Sequence, residues 1–195
     1  MIRPAICLLL AVQLVACSSA RPRPSIWQRY DALRTELQSV TALAAQLALA
    51  QDTVVSPMRH GNVRQVKRTT ARLKGRAGRL SRRAGRVGNQ IRALLRRTQP
   101  GVGRRYLSLV LLALENQWAE GRRVEAMADV MWADPLLMSP RALSRLRREQ
   151  RAARRYARRA VTATRAAAAL RRLHPEKFRY IPVPAAAGGD GRGVS

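Results

Sequence analysis

Apolar residues in the body of this chain recur alternately three and four positions apart, a rhythm that predicts helices packed lengthwise against one another. The first stripe is Ile26, Tyr30, Leu33, Leu37, Val40, Ala44 and Leu47, with Ser25 and Gln28 placed to form a capping box at its start. A second runs Val63, Val66, Thr70, Leu73, Ala77, Leu80, Ala84, Val87, Ile91, Leu94 and Thr98. Ser56-Pro57, a capping side chain followed by proline, marks where this second helix is expected to start. The third helix carries Leu107, Val110, Leu111, Leu114, Trp118, Val124, Ala128 and Met131, a wider apolar face that predicts the most buried helix. The fourth begins at Ser139-Pro140, places Leu143, Leu146, Ala153, Ala157, Ala160 and Ala167 on its seam, and ends near Leu173-His174-Pro175.

Short breaks at Gln99-Pro100-Gly101-Val102-Gly103 and at Asp134-Pro135 predict that successive helices run back on one another. The expected fold class is all-α: about four helices in an antiparallel bundle, or in paired long hairpins. The bundle occupies residues 26–174. Residues 175–195 read as an extended or disordered tail, with Phe178 to Pro184 lying across the bundle and four glycines between Ala185 and Ser195.

Charge changes the picture. The formal net charge is +27, from 35 arginines and three lysines against 11 acids. Preference for Arg over Lys, alongside much Ala, Gly and Val, is what GC-rich coding produces, but the deficit of acids is not explained that way. From Thr53 to Leu114 there are sixteen cations and no acid; from Glu115 to Asp134, five acids face two arginines; from Pro135 to Arg179, fourteen cations face two acids. An acidic third helix can therefore lie between basic neighbours, with Glu115, Glu120, Glu125 and Asp129 toward arginines.

All thirteen cations between Arg64 and Arg97 fall off the apolar seam. Within that run Arg76-Ala77-Gly78-Arg79-Leu80 recurs one heptad later as Arg83-Ala84-Gly85-Arg86-Val87, a repeat in step with the helix. Arg72, Arg76, Arg79, Arg83 and Arg86, joined by Arg154, Arg155 and Arg158 on the fourth helix, are the candidate anion-binding residues; a solvated arginine face is the plainer reading of the same pattern. Gly75, Gly78, Gly85 and Gly88 lie in the same helix at about 1 kcal/mol each relative to alanine, so the second helix is expected to be the least stable part of the free protein.

The first seventeen residues carry one cation, Arg3, then a short apolar core from Ala5 to Val12, then Leu14-Val15-Ala16-Cys17. The core is too short to span a bilayer. This stretch resembles the signal peptide of bacterial lipoproteins, and Leu14 to Cys17 match the lipobox at every position. The resemblance implies removal of residues 1–16 and lipidation of Cys17, with 17–25 as lipidated residue and tether. Ser18 resembles the pattern of lipoproteins sent to an outer membrane facing the periplasm, if the source has two membranes; otherwise the implied address is the outer leaflet of the cytoplasmic membrane.

The remaining chemistry is sparse. His60 and His174 are the only histidines, no thiol beyond Cys7 and Cys17 exists, and no phosphate loop, metal-ligand cluster or nucleophile elbow is present. No catalytic residue, metal or cofactor is expected. The expected partners are the membrane, through lipid on Cys17, and an anionic envelope polymer or lipid, with a protein partner as the alternative. Nucleic acid would bind in a test tube through charge alone, but no recognition motif or aromatic platform accompanies it, so it is not the partner expected in the cell. Trp118 and Trp132 are expected in the core or seam; Trp27, close to the lipid, is expected at the membrane interface.

Overall fold

A computed structural model describes residues 25–178; the expected signal peptide, Cys17, most of the expected tether and the chain from 179 onward lie outside the described residues. Helix α1 spans Ile26–Ala32 and α2 Arg34–Asp52. Together they form the expected first helix, divided at Leu33, whose N–H bonds the Tyr30 carbonyl three residues back at 3.0 Å. The capping box is present: the Ser25 hydroxyl accepts from the Gln28 N–H at 3.2 Å, and the Ser25 N–H donates to Gln28 Oε1 at 2.7 Å.

Ser56-Pro57 does not open the long second helix. It lies in a separate turn of helix, α3 (Val55–Arg59). Gly61, at a left-handed φ of 64°, breaks the chain, and Asn62 then caps α4 (Val63–Leu95) by accepting the Gln65 N–H at 3.0 Å. Helix α5 (Val102–Ala133) follows Gly101, whose φ of 143° only glycine adopts readily. In the next turn the Asp134 carboxylate accepts from the backbone N–H groups of Met138 and Ser139 at 3.1 and 2.9 Å. Ser139 then caps α6 (Pro140–Leu173), with Pro140 at its first position, as the sequence predicts.

The fold is an antiparallel helical bundle, with more helical segments than the four expected. Helix α5 is central, packing closely on α4 along one side and on α6 along the other, while α2 packs on α4. Lys74 meets Asp129 at 2.7 Å and Arg92 meets Glu115 at 2.8 Å, so α4 and α5 pair in reversed order along their lengths. Leu47, Leu73, Leu80, Ile91 and Leu107 are the largest fully buried side chains. The 3.5-residue seam of α4 is the buried one, from Val66 through Leu94.

The glycines of α4 receive a different explanation from the one composition suggests. A Cβ on Gly78 would stand 2.6 Å from Glu125 Oε1, Gly85 lies under the Trp118 ring, and Gly88 faces Leu111 and Leu114. From the other side, a Cβ on Gly121 would lie 2.9 Å from the Ala77 carbonyl oxygen and 3.0 Å from Ser81 N. Small residues on both helices let the backbones approach. Only Gly75 points into open space, with the Arg79 side chain as its nearest neighbour at 3.8 Å.

At one end of the bundle the chain closes on itself. Trp27, Tyr30, Tyr106 and Phe178 form a cluster with ring centroids 5.0–6.4 Å apart, mostly edge to face. The Tyr30 and Tyr106 hydroxyls share a buried hydrogen bond of 2.9 Å, and burial raises the Tyr30 phenol well above its ordinary pKa. Phe178 belongs to a 3₁₀ turn, Pro175–Phe178, and is buried, so the described part of the expected tail is folded. Trp27, partly buried, packs over Gly103 in this cluster. Trp118 and Trp132, by contrast, are half exposed at the α4/α5 edge, with Lys67 Nζ 5.5 Å above the Trp132 ring.

Candidate anion-binding faces

Successive residues of a helix turn by about 100°, so Arg72, Arg76, Arg79, Arg83 and Arg86 fall within an arc of about 80° on α4. Arg72, Arg79 and Arg86 are exposed, and Arg76 and Arg83 half-buried at the edge of the seam. The arc lies on the opposite flank of that seam from Gly78 and Gly85, which face α5. Among the described residues, none of the five makes an ion pair.

Arg154, Arg155 and Arg158 lie on a separate face. Together with Arg151 and Arg159, which sequence reasoning passed over, they form one wall of an open groove of about 900 Å³ between α5 and α6. Its other residues include Leu109, Leu112 and Asn116 of α5 and Thr162, Ala163 and Ala166 of α6. No residue of α4 lines it, so the eight candidates divide into two faces on either side of α5. The α6 arginines come in doublets four residues apart, a periodicity visible in the sequence. Leu109 and Leu112 were also visible, as leucines in excess of what one seam requires.

The acids of α5 do not all meet cations of neighbouring helices. Glu115 and Asp129 do, and the hydrogen bond to Asp129 raises the pKa of Lys74. Glu125 pairs within its own helix, with Arg122 at 2.9 Å. Arg123 reaches instead across to buried Glu149 of α6 at 3.1 Å, and that bond raises its pKa. Glu120 is 5% exposed, no ion pair among the described residues reaches it, and burial pushes its carboxyl up to about 7. The Arg92–Glu115 pair, about half exposed on both sides, contributes about 0–1 kcal/mol.

His60 and His174 occupy the ends of α3 and α6; His60 Nδ1 lies 2.8 Å from the Ser56 carbonyl oxygen, and His174 Nδ1 3.7 Å from Glu176 Oε1. Among the described residues no group of three or more His, Cys, Asp or Glu is placed to hold a metal ion, and no helix is long and apolar enough to cross a membrane.

Fold and faces together define an all-helical protein with arginines displayed on both flanks of a central helix. No protein family, curated protein or solved structure matches the chain.

Proposed function

We propose that this is a non-enzymatic, lipid-anchored protein of the bacterial cell envelope whose arginine faces on α4 and α6 bind or brace anionic envelope material: phospholipid, lipopolysaccharide or cell wall. The observation that carries the binding half is the division of cations. The acids of α5 engage Lys74, Arg92 and Arg122, and Glu149 of α6 engages Arg123 and Arg148, whereas the eight candidate arginines have no carboxylate partner among the described residues. Near an anionic surface each contributes up to about 1 kcal/mol. The anchor half rests on the lipobox-like residues Leu14 to Cys17. Two or more acyl chains there would hold the domain stably at a membrane.

The test has two arms. Cells fed labelled palmitate should incorporate it into the protein and lose it with Cys17→Ala; label retained by that variant removes the anchor. The Cys17→Ala chain should then co-sediment with one of anionic vesicles, lipopolysaccharide or cell wall in a salt-sensitive way, and far less with zwitterionic vesicles. Sedimentation with none of them would turn attention to a protein partner, the second reading, which half-exposed Trp132, partly exposed Leu136 and largely exposed Met138 favour.

A further inference from the structure

The groove between α5 and α6 differs from the ladder on α4 in one respect that decides what it can hold. The ladder is cationic only. The groove has an apolar floor beside its cations: Leu109, Leu112, Ala163 and Ala166 lie between the two helices, and Leu112 is 47% exposed although it sits mid-helix on the central element of the fold. Among the described residues about half of that side chain is left open, and an inorganic anion would not cover it.

The wall has the complementary peculiarity. Arg151, Arg154, Arg155, Arg158 and Arg159 place five guanidiniums along about two and a half turns of α6. Glu149, the nearest acid on that helix, is taken up by Arg123 at 3.1 Å and Arg148 at 3.6 Å. Asn116 adds a polar side chain to the α5 side, its amide held by an N–H donated to the Leu112 carbonyl at 2.7 Å. The volume of about 900 Å³ lies within the range of sites for small organic ligands.

We propose that this groove binds one anionic phospholipid, an acyl chain lying along Leu109 and Leu112 and the phosphate held by the arginine wall. Guanidinium groups suit phosphate because they can donate two parallel N–H bonds to it. The inference deepens the envelope reading and rests on it: it selects phospholipid among the anions and α6 among the two faces.

The test uses the full chain in non-ionic detergent micelles doped with equal amounts of phosphatidylglycerol and phosphatidylcholine, with retained lipid counted by native mass spectrometry. One phosphatidylglycerol per chain should be retained, and phosphatidylcholine much less. Arg155→Gln with Arg158→Gln should lower retention roughly tenfold or more, given the contribution of each arginine near anionic lipid. Leu112→Ser, at an exposed position that leaves the core intact, should lower it as well, and Arg64→Gln with Arg68→Gln, exposed on α4 and outside the candidate arginines, should leave it unchanged.

Equal retention of both lipids overturns the proposal, as does loss caused equally by the α4 pair. Retention unaffected by Leu112→Ser but abolished by the α6 pair also overturns it, because charge alone would then suffice. So does displacement of the lipid by millimolar inorganic phosphate. In each of these cases the envelope reading survives if the Cys17→Ala chain still sediments with anionic material, and falls separately if it does not.

Discussion

The two sides of helix α5 are built on different principles. Toward α4 the interface is a close approach of backbones at glycine, flanked by Leu73, Leu80, Val87 and Ile91, all at most 1% exposed. Toward α6 the buried partners are Ala153, Ala160, Ala163 and Ala167 with one carboxylate, Glu149. Burying a large aliphatic side chain contributes about 1.5–3 kcal/mol, and each methylene about 0.8 kcal/mol, so an alanine stripe contributes far less. The arm held less firmly is therefore the fourth helix of the sequence, α6, rather than the glycine-containing second. It is also the arm that carries the arginine-walled groove.

The sharpest way to break this comparison is to remove one large side chain from each side. Leu80→Ala should lower stability by about 2–5 kcal/mol, and Leu170→Ala, half-buried on α6, by less than half as much. Denaturant unfolding of both variants would measure this. Equal losses would mean that the two interfaces carry equal weight.

Glu120 probes the α5 core by pH. Its folded pKa, about 7, lies above that of an unfolded glutamate, so the folded state holds the proton more tightly. Stability from this group is full at low pH, falls as pH rises from about 4.5 to about 7, and is constant above that. Glu120→Gln should erase the fall. The variant should exceed the wild type by up to about 3 kcal/mol at pH 8, and match it near pH 4. Thermal melting across that range gives the answer, and parallel curves for the two proteins would show that the carboxyl is solvated.

Two glycine substitutions with opposite signs refine the α4 side. Gly121→Ala drives a methyl group against the Ala77 carbonyl and should destabilise by about 1–3 kcal/mol despite better helix propensity. Gly75→Ala meets open space and should stabilise by about 1 kcal/mol. If both stabilise in chemical denaturation, the helices have room to part and the close approach is not required.

Much of this was legible in the sequence, because periodicity reports burial directly. The α4 stripe from Val66 to Leu94, the cap at Ser25, the cap and proline at Ser139-Pro140 and the centrality of the third helix all follow from local patterns. What was not legible depends on who sits opposite. Gly78 and Gly121 look like helix weakeners until the facing backbone is known. Ser56-Pro57 has the chemistry of a helix start, but Gly61 and Asn62 supply a better break and cap a few residues on. Trp27 and Phe178 are far apart in sequence, and no pattern along one helix predicts that their rings meet.

The candidate site was legible only in part, for the same reason. Arg154, Arg155 and Arg158 were identified as cations, but the groove exists because Leu109 and Leu112 face them from another helix. Arg151 and Arg159 became members of the set through that geometry.

The aromatic cluster has a consequence for chain topology. Trp27 and Phe178 stand 5.6 Å apart between ring centroids, one near each end of the described chain. The helices are thus threaded on what is almost a closed ring. A short link joining residues 25 and 178, with new ends opened in the turn at 134–139, would preserve every helix pairing in a different chain order. The neighbours a helix keeps here are set by side chains, and its place in the order of synthesis is incidental.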